Sequence, residues 1–272
     1  MTLPTKIEFI PGDLPNNGKV IIEPCYTGYG ITMGNAIRRV MLSSLVGAAI
    51  TAVKISGALH ELSTIPHVKE DVLNLILNLK LLCLKSYSAE EAKLFIKASG
   101  IKKITAKNIT VPTGVIIANQ DLYIATLTHK DAKLDIEITV SQGRGYVPVE
   151  VRVAERLDIG TIAVDAVFTP VRNVGFTVES VMVGETSNYD RLIIDITTNG
   201  TITPKEAFCE ASQILVNHFN LCLNAFSDKG GADVVSKQSV QKSVDDADAS
   251  DETETELAPT KKKSEKAKKV KK

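Results

Sequence analysis

The stretch GYGITMGNAIRRVMLSSL, Gly28 to Leu45, sets the reading of this chain. Three glycines open it as a short loop, and a helix is expected from about Thr32 to Leu45, with Gly47 ending it. At about 100° per residue, Met33, Ile37, Val40, Met41 and Leu45 share one broad arc. Leu42 stands at the edge of that arc, Arg39 lies beyond Leu42, and Arg38 falls inside the margin. A helix apolar over so much of its circumference is buried on more than one side. One domain core seldom encloses a helix, so part of this surface is expected to meet another chain.

The same stretch imitates a nucleotide-binding turn. A strand-like run, Lys19 to Glu23, leads into Gly28, Gly30 and Gly34 and then a helix. In dinucleotide-binding units such glycines let a pyrophosphate approach the helix N-terminus. Here Gly34 follows Gly28 by six positions, one more than the pattern requires. No second βαβ unit follows, and no acidic residue closes a second strand about twenty residues on. Backbone turns and close packing account for the glycines better.

The 272 residues are 44% hydrophobic, enough for one large domain or two small ones. Formal charge cancels at 32 basic against 32 acidic residues, but unevenly. Asp245 to Glu256 is acidic and Lys261 to Lys272 is nearly all lysine, so the remainder is close to neutral and carries no broad basic stripe. Cys25, Cys83, Cys209 and Cys222 form no CxxC pair and read as small buried hydrophobes in a reducing compartment. His60, His67, His129 and His218 are isolated and read as structural groups. Met1 to Ile10 lacks the apolar core of a signal peptide. No run approaches the roughly twenty apolar residues of a membrane span. A soluble protein of the cytoplasm, or of an equivalent internal compartment, is expected.

Outward from the first helix, Lys19 to Glu23 pairs with an earlier strand across the turn residues Pro11 to Gly18. Ala49 to Ser56 alternates as a strand. Val68 to Leu82 repeats Val72, Leu75, Ile76, Leu79 and Leu82 at helical spacing, with acidic residues in its first turn. From Leu84 to Val153 short strands dominate: Lys93–Ala98, Ile104–Ile109, Asp121–Leu127, Lys133–Val140 and Tyr146–Val153. In KLDIEITV, Leu134, Ile136, Ile138 and Val140 face one way. Gln142-Gly143-Arg144-Gly145 breaks the run as a hairpin turn; Arg144 there could bind phosphate, but a solvated turn residue or a contact to a partner accounts for it better. Strands return at Ile162–Phe168, Val171–Val183 and Arg191–Thr198. Thr203-Pro204-Lys205-Glu206 then starts a helix as N-cap, first-turn proline and capping glutamate. That helix runs to about Phe226, with Phe208, Ala211, Leu215, Cys222 and Phe226 recurring at threes and fours and His218 and Phe219 in the gap between Leu215 and Cys222. Past Ser227 the composition is that of a disordered tail.

These residues resemble a known family. Gly28 to Lys80, GYGITMGNAIRRVMLSSLVGAAITAVKISGALHELSTIPHVKEDVLNLILNLK, is similar to the N-terminal domain of the alpha subunit of bacterial-type DNA-directed RNA polymerase. The similarity continues at Gly143–Pro148, VDAVFTPVRNVGFTVE (Val164–Glu179), Tyr189–Leu192 and TNGTITPKEA (Thr198–Ala207), in the family's order. The resemblance implies an α+β fold in two parts: a discontinuous dimerisation part, 1–47 and 170–227, and an inserted, mainly β part, 48–169. An acidic-then-lysine disordered tail, 228–272, follows. It implies a homodimer that nucleates assembly of the beta and beta-prime subunits and carries no catalytic site. Sigma factor and DNA are reached through the complex, with no membrane partner. No cofactor is implied for this chain, and magnesium belongs to the catalytic subunit. Arg38, Arg39, Leu42 and Lys80 fall at subunit-interface positions. Ile37, Met41, Leu45, Phe208, Leu215, Phe219, Cys222 and Phe226 fall on the two helices of the dimer interface.

This sequence departs from the family's pattern in three ways. No helical apolar pattern follows Val235, where the family has a second, DNA-binding domain, so direct upstream-DNA contact is not expected. His67 replaces a glycine, so a different backbone is expected there. Met33 replaces a leucine at similar volume. The competing readings are an enzyme holding a nucleotide at Gly28–Gly34 and a homo-oligomeric scaffold unrelated to transcription. The compartment implied is a cytoplasm, with association to the nucleoid through the complex, or an organelle interior.

Overall fold

Residues 3–152, 158, 160–183 and 186–225 are described by a computed structural model. In chain order the elements begin β1 (Lys6–Pro11), β2 (Asn17–Tyr26), α1 (Tyr29–Ser43), β3 (Val46–Ile55) and α2 (Val72–Lys80). Eight strands follow: β4 (Leu84–Ser86), β5 (Ala92–Ser99), β6 (Lys102–Thr105), β7 (Ile109–Thr110), β8 (Val115–Ile117), β9 (Tyr123–Leu127), β10 (Lys133–Arg144) and β11 (Tyr146–Val147). The last are β12 (Thr161–Ala163), β13 (Ala166–Val167), β14 (Val171–Val183), β15 (Thr186–Thr198) and α3 (Pro204–Ala225). The fold is α+β, and its strand pairs are antiparallel.

Two sheets carry the fold. The first has four strands in the order β1-β2-β15-β14. Alternation puts Val20, Ile22, Leu192, Ile194 and Ile196 on one face, where they meet Ile37 and Met41 of α1, Leu45 just beyond its end, and Ala207 and Ala211 of α3. The second has seven strands, β7-β5-β10-β3-β4-β8 with β12 beside β3. Its core joins Val53, Ile96, Ile136 and Ile138 to Val72, Leu75, Ile76 and Leu79 of α2. The chain thus leaves the first core at Leu45, builds the second between Ile50 and Val164, and returns to the first at Val171.

Several boundaries differ from the sequence reading. The first helix starts at Tyr29, so Gly30 joins Gly34 as a helical residue, and Gly47 lies in β3. Helix α2 is shorter than its apolar pattern. Glu70 leaves it to accept the Thr126 N–H and the Tyr123 hydroxyl, and Asp71 stands at the N-cap. The run at 104–109 divides into β6, a single 3-10 turn and β7. β10 continues through Gly143 to Arg144, and the turn falls on Gly145, at φ 65°. Val149–Arg152 is a 3-10 turn where a strand was expected. Cys25 and Cys83 are buried as expected, but Cys209 and Cys222 are exposed. His67 and His129 are not isolated: their rings stack with centroids 4.7 Å apart. His67 keeps a glycine-like backbone, φ 64°, and its carbonyl accepts both the N–H and the hydroxyl of Thr128. Phe226 and the tail, 228–272, lie outside the described residues.

Candidate assembly surfaces

Helix α1 is set on its sheet by residues distant in sequence. Gly28, at φ 82°, is the N-cap and offers no side chain to cap with. The Asp190 carboxylate of β15 supplies the missing acceptor, taking the Gly28 N–H at 2.8 Å. Asp190 is buried, and its charge faces the positive end of the helix. The anion position at this helix N-terminus is therefore filled by the protein's own carboxylate. Together with the antiparallel sheet, that removes the basis for a nucleotide site. Gly30 and Gly34 let the helix backbone lie close on β14 and β15. A Cβ on Gly34 would stand 2.7 Å from Phe176 Cδ2 and 3.0 Å from Leu192 Cδ1.

With α1 seated this way, Ile37, Met41 and Leu45 point into their own chain's core, at 5%, 0% and 1% exposure. Arg38 and Arg39 point to solvent, and neither makes an ion pair among the described residues. Leu42 is half-buried beside them. The helix therefore presents an edge of unpaired cations bordered by a leucine.

Helix α3 begins with a complete capping box. Thr203 N–H donates to Glu206 Oε2 at 2.9 Å, and Glu206 N–H donates to Thr203 Oγ1 at 3.2 Å. The Thr203 N–H, followed by its hydroxyl, holds the Glu206 carboxyl below the usual carboxylate range. Ala207 and Ala211 are buried on the sheet, with Phe208, Ile214 and Leu215 half-buried around them. From Val216 onward every residue of the helix is exposed. Val216 is 50%, Phe219 65% and Leu221 54% exposed, and Cys222 and Leu223 beyond them are exposed as well.

On α2, Lys80 Nζ lies 3.3 Å from Asp165 Oδ2, and Asp165 Oδ1 accepts the Val149 N–H at 3.1 Å. That N–H first, and Lys80 second, hold the Asp165 carboxyl below its usual range. Lys80 is thus already paired, beside the exposed Leu77 and Leu81.

The structure places Arg38, Arg39 and Leu42 on one helix and Lys80 on another, with no contact described between the two groups. Of the dimer positions read from sequence, Phe219 and Cys222 are on the surface, Phe208 and Leu215 are half-buried, and Ile37, Met41 and Leu45 are internal. Sequence reasoning missed Asp190. Its only signal was a carboxylate entering an otherwise apolar alternation at Leu192. Among the described residues no three of His, Cys, Asp and Glu converge to hold a metal, and no helix is long and apolar enough to cross a membrane.

Residues 53–169 match the family model described as the RNA polymerase Rpb3/RpoA insert domain. Over 221 residues the chain is 47% identical to the DNA-directed RNA polymerase subunit alpha of Symbiobacterium thermophilum, covering 81% of this chain and 70% of that protein. Identity at that level over most of both chains shows common descent. The chain belongs to the family of bacterial-type DNA-directed RNA polymerase alpha subunits.

Proposed function

We propose that two copies of this chain pair through α1 and α3, and that the dimer is the platform on which the beta and beta-prime subunits assemble. The observation that carries this reading is the outer half of α3. An isolated helix of this length is marginal in water, and most helical stability in proteins comes from packing an apolar face. Among the described residues, Val216, Phe219 and Leu221 are left half or more exposed. A second copy supplies the packing symmetrically, because in a two-fold dimer the same patch serves both sides.

In this reading the dimerisation part comprises 1–47 and 170–227, and 48–169 is the inserted part. The two separate cores support that division, as does the insert-domain match at 53–169. Phe208, Leu215, Phe219, Cys222 and Phe226 form the dimer side, with Ile37, Met41 and Leu45 fixing α1 beneath it. Arg38, Arg39, Leu42 and Lys80 serve the large subunits. The chain itself is non-catalytic, and the magnesium of nucleotidyl transfer belongs to a large subunit. Sigma factor and DNA are reached through the complex.

Sedimentation of the purified chain, followed by affinity purification from cells that also make the large subunits, tests the proposal. A dimer that brings beta and beta-prime with it is expected. A chain that stays monomeric at high concentration overturns the reading.

A further inference from the structure

Arg39 and Leu42 are too few to hold a large subunit. Specific protein interfaces take roughly 800 Å² from each partner, some 20–30 residues a side. The docking face has to continue onto the surface that adjoins the end of α1, and that surface has a definite character. Helix α1 ends at Ser43, whose carbonyl oxygen lies 3.4 Å from where a Cβ on Gly145 would stand. Arg144 precedes Gly145 and stands opposite Val46 in the β10–β3 pairing. Tyr146 follows it and stands opposite Val167 in the β11–β13 pairing.

All four of these side chains are exposed: Tyr146 at 59%, Val167 at 52%, Val46 at 46%, and Arg144 in the same class. The Arg144 guanidinium has no hydrogen bond or ion pair among the described residues. The backbone beneath it, by contrast, is tightly fixed. Phe168 N–H donates to Gly145 O at 2.8 Å. A Cβ on Gly143 would come within 2.7 Å of the Phe168 ring, and one on Gly47 within 1.8 Å of the Phe168 carbonyl oxygen. Phe168 itself is buried. A rigid turn thus presents a free arginine and an exposed tyrosine, flanked by two valines. Tyrosine and arginine are among the side chains that most often dominate interface energies, and holding them rigidly lowers the ordering cost of binding.

We infer that the Arg144–Tyr146 turn, with Val46 and Val167, is a second part of the surface on which the beta subunit docks. It continues the Arg39–Leu42 edge and takes an acidic side chain at Arg144 and apolar side chains at Tyr146. This rests on the assembly role proposed above.

The test uses the full chain, tagged and co-expressed with the beta and beta-prime subunits, comparing wild type, Arg144→Glu, Tyr146→Ala and Arg39→Ala. The two turn variants are expected to keep the wild-type melting temperature and dimer sedimentation. Their recovery of beta is expected to fall at least about tenfold, as for an interface hot spot. The inference is overturned if Arg39→Ala loses beta while both turn variants recover it within about twofold of wild type. Loss of the dimer in the turn variants overturns it as well, because the patch would then face a second copy. If wild type itself brings down no beta subunit, the proposed function falls and this inference falls with it.

Discussion

Replacing Phe219 by alanine tests the dimer most directly. A phenylalanine side chain offers about 200 Å² to solvent. Phe219 is 65% exposed, which leaves about 130 Å² for a partner to cover. At about 25 cal/mol/Å², covering that area stabilises the dimer by about 3 kcal/mol per copy, of which alanine retains a small fraction. Two-fold symmetry places the substitution at both copies, so the dimer loses about 5 kcal/mol, or between three and four decades in Kd. Sedimentation equilibrium from nanomolar to high micromolar concentration reads that shift. Because Phe219 lies outside its own chain's core, the substitution should leave that core folded, and the helical circular dichroism lost with the dimer should be no more than the unpartnered outer half of α3 contributes. A Kd within about threefold of wild type refutes the reasoning, since it leaves the ring exposed in the dimer too.

Arg39→Ala should leave the dimer constant unchanged and lower recovery of the beta subunit, because the charge lies off the apolar arc; loss of dimer in sedimentation would contradict that division. Gly34→Val should cost about 1–3 kcal/mol by overpacking against Phe176 and Leu192, lowering the melting temperature by about 2–4 °C per kcal/mol; an unchanged melting curve would mean that α1 does not lie so close to β14. Glu206→Ala should cost about 0.3–1 kcal/mol near neutral pH through the lost first-turn carboxylate. The folded carboxyl is held below its unfolded value of about 4.3, so the wild-type advantage is full above that value and disappears as the pH falls through the lower folded one. Urea titrations of both proteins between pH 7 and 3 check this, and a difference that persists undiminished at pH 3 excludes the capping charge as its source.

How much of this was legible in the sequence depended on how local the governing physics is. The α3 capping box needs four consecutive residues, Thr203 to Glu206, and both of its hydrogen bonds are present. The alternation in KLDIEITV fixed β10 because a half-buried strand shows its period within a few residues. What the sequence obscured was set by distant partners. The close approach that Gly30 and Gly34 permit shows only once β14 and β15 are laid beneath them. Asp190 gains its role from a hydrogen bond to a residue 162 positions away. Leucines at helical spacing did not reveal that Glu70 is drawn to Thr126 and Tyr123 instead of the first turn of α2. The α1 arc showed that one face is apolar, but its own sheet already covers Ile37, Met41 and Leu45. The exposed apolar run at Val216, Phe219, Leu221 and Leu223 is on α3 instead.

That distribution links the order of the chain to its assembly. Helix α1 is complete in sequence by Ser43, yet the two strands its glycines rest on, β14 and β15, are supplied only by residues 171–198. The carboxylate at its N-terminus comes from the same hairpin. Between them lies a segment that builds a core of its own from Ile50 to Val164. The Arg39–Leu42 edge therefore takes its final orientation only after the chain has passed through the second core and returned. Helix α3, which carries the exposed apolar patch, follows directly on that return at Pro204. The edge proposed for the large subunit and the surface proposed for the second copy thus depend on the same closing hairpin, which confines the platform to chains whose first core is complete.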